Sequence, residues 1–142
     1  MQRQRIFRAL AAVVLAMAVA ACDDEIDLPP NTPTVIVTDT FTGALVQNGA
    51  TTHSFNVATT GTVKATLKAI GADNTLVVGF SMGTWIASSN SCSIVLANDA
   101  ATGGSVLQGT MTGTGTLCVR MYDVGNVIAA AAASYTVEVE HP

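Results

Sequence analysis

The chain has 142 residues, of which 49% are hydrophobic and only 11% are charged, and its formal net charge is −4. The composition offers no basic stripe and few aromatic side chains, which argues against nucleic-acid binding. The length is that of about one small domain, and no repeat of solenoid length is apparent.

The first 21 residues have the three parts of a secretory signal peptide. Arg3, Arg5 and Arg8 precede an uninterrupted apolar stretch over residues 9–21, which ends in small side chains. Its thirteen residues are fewer than the roughly 20 that a membrane-spanning helix needs. A permanent transmembrane anchor is therefore the weaker interpretation.

The end of this segment, Val19-Ala20-Ala21-Cys22, resembles a bacterial lipobox. The resemblance implies that the Cys22 thiol is acylated and that the chain is cut just before it. It thus implies an exported protein of the bacterial cell envelope, with the membrane as its first partner through the N-terminal lipid. The acidic residues after Cys22 resemble two conflicting sorting signals, so the membrane leaflet stays open. An ordinary signal peptide with a cysteine nearby is the alternative.

Residues 22–33 are predicted to form a tether. The segment combines four acidic residues with three prolines, a composition that favours an extended, solvated backbone. Removal of residues 1–21 leaves three of the six basic residues against ten acidic ones, a net charge of −7.

Residues 34–142 are predicted to form one all-β domain. Residues 62–69 and 135–140 alternate apolar and polar side chains with period two, as half-buried strands do. In the first of these strands Val63, Ala65, Leu67 and Ala69 are expected to share the buried face. Further strands are predicted at 35–38 or 41–46, 53–57, 76–82, 91–97, 106–112 and 116–122. About eight short strands between Gly/Asn/Asp turns predict an antiparallel sandwich or barrel.

The strongest enzymatic motif is Gly79-Phe80-Ser81-Met82-Gly83, which fits the nucleophile elbow of serine hydrolases. That chemistry requires Ser81 at a strand-to-helix turn, followed by an acid and a histidine. Too little chain is present for the parallel sheet and helices of such an enzyme, and the only later histidine is His141. We therefore expect a strand with small residues on one face, and no catalytic residue. A small serine hydrolase that uses Ser81 is the alternative function.

The three cysteines divide into an anchor and a pair. Lipidation of Cys22 leaves Cys92 and Cys118, and such a pair usually closes to a disulfide in an oxidising compartment. Two free buried thiols are the alternative. Trp85, the only tryptophan, is expected in a loop, where it could form a sugar-stacking platform or close one end of the sandwich.

The remaining polar residues predict no metal or cofactor site. Asp39, Asp73, Asp99 and Asp123 lie in or near predicted turns, where turn-stabilising hydrogen bonds explain them better than calcium does, although a calcium dependence stays open. His53 is in register with Phe55 and is expected to be a packed or rim residue. Arg120 is expected to pair with an acid such as Asp123 or Glu138.

The order of several strand motifs resembles the bacterial pre-peptidase C-terminal domain. The residues that carry it are Phe55, Val57, Gly61, Gly115, Thr116, Val119, Arg120, Met121, Tyr135, Val137 and Val139. Leu117 stands where that family usually has an aromatic residue. The resemblance implies a jelly-roll-like β-sandwich over about residues 41–140, but its elements are packing patterns and carry no chemistry.

Together these observations predict a lipid-anchored, non-catalytic β-sandwich of the cell envelope. Its expected partners are an envelope protein or a glycan, bound through the loops. A purely structural role is a further alternative, and the sequence does not specify the ligand or the oligomeric state.

Overall fold

A computed structural model describes residues 33–142 of the chain, so the predicted signal peptide, the Cys22 lipidation site and nearly all of the tether lie outside the described residues. The described residues form eight strands and no helix, and hence no helix that could cross a membrane. The strands are β1 (Val37–Leu45), β2 (Ala50–Val57), β3 (Gly61–Ile70), β4 (Val78–Ile86), β5 (Ser91–Ala101), β6 (Val106–Met111), β7 (Gly115–Tyr122) and β8 (Ala133–His141).

The strands form two antiparallel four-stranded sheets. The first sheet has the order β1-β8-β3-β6 and the second the order β2-β7-β4-β5. This is the strand order of a jelly roll, in which two Greek keys wrap around one core. The predicted fold, an antiparallel jelly-roll-like sandwich of about eight strands, is confirmed.

The core forms where the period-two alternation predicts it. Ala65 and Leu67 of β3 pair with Val139 and Val137 of β8, and these four residues are buried together with Val63. The expectation for Ala69 is wrong, because the β3–β8 register shifts between Leu67 and Ala69. This irregularity reverses the alternation, so that Ile70 is fully buried in its place.

Strand β4 begins two residues later and ends four residues later than predicted. It runs through Thr84, Trp85 and Ile86, and the turn to β5 follows at residues 87–90. Trp85 therefore lies in a strand, paired with Cys92 of β5, and the prediction of a loop is wrong. Aromatic and β-branched residues suit a pleated strand, which explains how the pairing continues past Gly83.

Cys92 and Cys118 form the predicted disulfide, with their Cα atoms 5.8 Å apart. It joins β5 to β7, the two strands that flank β4 in the second sheet. Gly83 pairs with Cys118 at this place, and a Cβ atom there would overlap the carbonyl oxygen of Ser93. The absence of a side chain at Gly83 thus permits β5 to approach β4 closely beside the disulfide.

The antiparallel pairing gives the sandwich two ends. The tether end carries residues 33–36, where the described chain begins, together with the loops at 58–60, 87–90 and 112–114. The far end carries the loops at 46–49, 71–77, 102–105 and 123–132. The alanine-rich residues 129–132 belong to the last of these loops.

Candidate functional site

A groove of about 430 Å³ lies between the two sheets, beside the edge strands β5 and β6. It occupies the half of the sandwich near the tether end. Its walls combine apolar side chains, threonines and glycines: Val63, Met82, Val95, Leu96, Met111, Leu117, Thr84, Thr110, Thr112, Thr114, Thr116, Gly83, Gly109 and Gly115.

The groove has a distinctive chemistry. None of the residues that line it is charged or aromatic. Met82 and Met111 are flexible and polarizable, so they adapt to apolar groups of different shape, while the threonine hydroxyls supply both hydrogen-bond donors and acceptors. Such a groove suits an uncharged ligand that is mainly apolar but carries some polar groups.

Small side chains keep the groove open. A Cβ atom at Gly109 would lie 3.4 Å from Cδ1 of Leu96, in ordinary contact, so any larger side chain there would project into the space. Leu117, which also lines the groove, is smaller than an aromatic ring.

A β-bulge shapes the mouth of the groove. Met82 of β4 pairs with Leu96, but the next residue, Gly83, pairs with Ile94, so Val95 is an extra residue in β5. Its side chain is 71% exposed and lines the groove. Bulges re-aim side chains next to binding sites, and this one places an apolar residue at the entrance.

Both strands beside the groove are sheet edges. β5 pairs only with β4, and β6 only with β3. The outward-facing backbone N–H and C=O groups of each strand therefore have no partner strand and can bind another extended chain. Over its 11 residues β5 carries a single charged side chain, Asp99.

The opposite side of the sandwich, between β1 and β2, is filled by aromatic rings. Phe41 and His53 stack with ring centroids 4.9 Å apart, and Phe55 and His141 lie 5.2 Å apart. Nε2 of His53 is 2.7 Å from the hydroxyl oxygen of Tyr135, which belongs to the other sheet. The prediction of His53 as a packed or rim residue is confirmed, because it is half-buried against Phe41.

Burial perturbs the ionisable groups on this side. It lowers the pKa of His53, because the charged imidazolium loses hydration. It also raises the pKa of Tyr135, against a smaller opposing effect from the hydrogen bond with Thr51. Nε2 of the buried His141 lies 3.1 Å from Oδ2 of Asp39 on the edge strand β1.

Ser81 lies in the middle of β4, with only 1% of its surface exposed. Its hydroxyl donates a long hydrogen bond of 3.4 Å to the carbonyl oxygen of Arg120. The predicted strand with small residues on one face is confirmed at this position. Among the described residues, the two histidines pack with the aromatic rings between β1 and β2, and the hydrogen bonds of Ser81 include neither.

Three polar side chains interact on the outer face of the second sheet. The hydroxyl of Tyr122 donates to a carboxylate oxygen of Asp99, and the guanidinium carbon of Arg120 lies 5.3 Å from the centre of the Tyr122 ring. Burial and the Asp99 carboxylate raise the pKa of Tyr122 to about 12. The expected pairing of Arg120 with Asp123 or Glu138 is wrong. The guanidinium of Arg120 lies over the Tyr122 ring, and Glu138 pairs with Lys68.

Asp73 and Asp123 bond to the backbone of their turns, as predicted. For Asp39 and Asp99 the prediction is wrong, because they lie in β1 and β5 and contact the side chains of His141 and Tyr122. Oδ1 of Asp123 accepts hydrogen bonds from the N–H groups of Gly125, Asn126 and Val127, and Oδ2 accepts one from Asn48. These donors lower the pKa of Asp123 to about 2. Asp73 accepts from the backbone and hydroxyl of Thr75, which lowers its pKa as well. Within residues 33–142 no group of three or more His, Cys, Asp or Glu side chains is placed to hold a metal ion.

Sequence reasoning missed the groove. A local signal exists in the run Thr110-Met111-Thr112-Gly113-Thr114-Gly115-Thr116, which closes β6 and opens β7 along one wall. Trp85, the predicted ligand-binding residue, does not line this groove. Compared with protein-family models and with curated proteins, the chain matches none.

Proposed function

We propose that this protein is a non-catalytic module of the bacterial cell envelope, lipid-anchored through Cys22, that binds an uncharged, extended segment of a partner protein. The observation that carries the proposal is the groove, which has no charged lining residue and lies beside two sheet edges. In β-strand addition, backbone hydrogen bonds along an edge supply affinity, and pockets for alternate side chains supply specificity.

The lining favours a peptide over a glycan. Sugar sites commonly stack a ring face on an aromatic side chain, yet the groove has none, and Trp85 stands outside it. Apolar walls with scattered hydroxyl groups suit aliphatic side chains on an extended backbone. Alternate residues of such a segment would enter the groove, because side chains of a strand point to opposite faces in turn.

The position of Ser81 favours binding over hydrolysis. A nucleophile must reach its substrate and a general base, whereas the Ser81 side chain is buried and bonded to a backbone carbonyl. A serine-reactive probe that labelled Ser81 would contradict the non-catalytic part of the proposal.

Selection from a displayed library of random peptides against the purified protein tests the binding site. We expect uncharged sequences with apolar residues at alternate positions. Val95→Asp places a carboxylate at the groove mouth and should weaken binding roughly tenfold, about 1.4 kcal/mol.

Val106→Asp is the matched control. Val106 is also an exposed valine on an edge strand, but it pairs with Thr66 and points to the outer face of the first sheet. Equal losses in the two variants, or enrichment of charged peptides, would contradict the proposed site.

Intact mass tests the anchor separately. Protein extracted from membranes should have the mass of residues 22–142 plus lipid, with two thiols that react only after reduction. A mass that retains residues 1–21, or one without lipid, would contradict anchoring through Cys22.

A further inference from the structure

We infer that the disulfide between Cys92 and Cys118 is a redox switch of the groove. The bond bends the start of β5 away from the first sheet and keeps the groove open, and its reduction lets the groove close. The inference rests on the proposed binding function and assigns a regulation to the same site.

The disulfide joins two strands that are not neighbours. Strand β4 lies between β5 and β7 in the second sheet. In a flat sheet, residues of β5 and β7 would thus be two strand spacings apart, about 9.6 Å. The Cα atoms of Cys92 and Cys118 are only 5.8 Å apart. The second sheet is therefore sharply bent where the disulfide crosses β4.

The bend carries β5 toward the outer face of the second sheet. Met82 and Val119 belong to the core, so the next pair along these strands, Gly83 and Cys118, faces outward. A Cβ atom at Gly83 would point to this outer face and overlap the carbonyl oxygen of Ser93. The backbone of β5 thus lies over the outer face of β4, on the side away from the first sheet.

The bulge at Val95 separates the bent part of β5 from the regular part. On one side of it, Leu96 reaches the other sheet, because a Cβ atom at Gly109 of β6 would lie 3.4 Å from Cδ1 of Leu96. On the other side, residues 92–94 follow the bend outward. Bulges bend the strand that contains them. The space between β5 and β6 therefore widens from Leu96 toward Cys92, and the groove occupies this space.

The open groove keeps apolar side chains in contact with water. Val95 is 71% exposed, and Leu96, Met111 and Leu117 are only partly buried against the core. Burial of these side chains in a closed groove is favourable, because it removes apolar surface from water. The disulfide opposes this closure by holding residues 92–94 on the outer face. Once the bond is broken, the segment can return to the plane of the sheet and carry Val95 toward β6.

A protein dithiol can reduce the bond by thiol–disulfide exchange. Cys92 is half-buried between the exposed residues Ser91 and Ser93, whereas Cys118 is fully buried. A thiolate of the dithiol attacks Sγ of Cys92, the S–S bond breaks, and Cys118 leaves as a thiolate that takes up a proton. The second thiol of the reductant then attacks the mixed disulfide and releases Cys92 as a thiol. Two electrons pass to the cysteine pair, and the reductant becomes a disulfide.

Methyl nuclear magnetic resonance tests the switch without any peptide. The protein is the predicted mature chain, residues 22–142, with Cys22→Ser, so that only Cys92 and Cys118 react with dithiothreitol. A soluble gadolinium chelate relaxes methyl groups that face water. We expect strong relaxation of the Val95 methyl groups in the oxidised protein, loss of most of it after reduction, and recovery after reoxidation.

Two residues serve as internal controls. Val106 is 48% exposed on the other edge strand but points to the outer face of the first sheet, so its relaxation should not change on reduction. Met121 is fully buried and should stay protected in both states. The double variant Cys92→Ala/Cys118→Ala should have a protected Val95 without any reductant.

Peptide titration then connects the switch to the proposed function. If the reduced groove is open for about a tenth of the time, the apparent Kd of a selected peptide rises about tenfold. Protection of Val95 on reduction, with no peptide bound in either redox state, would support the switch and contradict the proposed binding function.

Two results would overturn the inference. Unchanged or stronger relaxation of Val95 in a reduced, folded protein would mean that the disulfide does not hold the groove open. Unfolding on reduction, seen as exposure of the Met121 methyl group, would mean that the bond is required for the fold and cannot switch between two folded states.

Discussion

The two long sides of the sandwich lie between the edge strands of the same two sheets, but they differ in the side chains that occupy the space there. Between β1 and β2 the rings of Phe41, His53 and Tyr135 pack against one another. Between β5 and β6 the corresponding space holds methionines, threonines and glycines, and it stays open.

This difference shows how a jelly roll can acquire a binding groove without a change of topology. Large rings that bond across the sheets close one side, as the contact between His53 and Tyr135 does. Small and flexible side chains leave the other side accessible, and the bulge at Val95 places an apolar side chain at its entrance. Truncation should therefore cost more free energy of unfolding on the closed side than on the open one.

The largest effect is expected from Phe55→Ala on the closed side. Phe55 is buried among Phe41 and His141, and its truncation should lower the free energy of unfolding by about 3–5 kcal/mol. Leu96→Ala, in the partly solvated wall of the groove, should cost clearly less, because its lost contacts are fewer. Urea unfolding of both variants measures the difference. Equal losses of unfolding free energy would contradict the proposed difference between the closed and the open side.

The second effect concerns the disulfide that fixes β5 beside the groove. Replacement of Cys92 and Cys118 by alanine should lower the free energy of unfolding by about 3–4 kcal/mol, as expected for the closure of a loop of this length; the two cysteines are 26 residues apart. Binding of the selected peptides should weaken as well, since β5 loses its link to β7. Denaturant unfolding with and without reductant checks the value. An unchanged unfolding midpoint would contradict a stabilising role of the disulfide.

A smaller effect is expected in the pH dependence of stability, to which His53 on the closed side contributes. Because burial lowers the pKa of His53, its neutral form stabilises the folded state. That contribution is complete above the unfolded pKa of about 6.5 and is lost as the pH falls through the lower folded pKa. Stability should thus decline on acidification below about pH 6.5, and less so in His53→Gln.

His141 also lies on the closed side, so only the difference between wild type and His53→Gln reports His53. Parallel pH curves for the two proteins would show that His53 contributes nothing to the acid sensitivity.

The smallest effect is expected from Gly109→Ala, which should raise the stability of the domain but weaken peptide binding. Gly109→Ala removes backbone freedom from the unfolded chain and should stabilise the domain by about 0.5–1 kcal/mol, since its Cβ would touch the flexible side chains of Leu96 and Met82 without overlapping them. The same methyl group narrows the groove and should weaken peptide binding. Gly79→Ala is the control, because its Cβ would overlap the Tyr122 ring and should destabilise the domain. Thermal unfolding and peptide titration measure both quantities.

Local patterns predicted much of the fold. The alternation in residues 62–67 and 135–140 gave two strands and their buried faces, and cysteine counting gave the pair Cys92 and Cys118. The failures lie where alternation is interrupted. The irregularity after Leu67 moved Ala69 off the buried face, and burial on both faces of β4 concealed its true end at Ile86.

The groove could not be predicted from the sequence in the same way. It depends on which strands become edges and on the bulge at Val95, and both follow from pairing between distant segments. Only the run of threonines and glycines around Met111, at residues 110–116, is a local indication. The interaction of Arg120 with Tyr122 was missed for a related reason, since the predicted acidic partners are engaged elsewhere.

The most direct test of the account is a nuclear magnetic resonance titration of the isotopically labelled protein with a selected peptide. We predict that backbone amide shifts concentrate in β5, β6 and the loop at 112–114. In Val95→Asp they should need roughly tenfold more peptide to reach the same size, whereas Val106→Asp should leave the titration unchanged. Shifts centred on β1 and β2, or spread evenly over the sandwich, would contradict the assignment of the groove as the binding site.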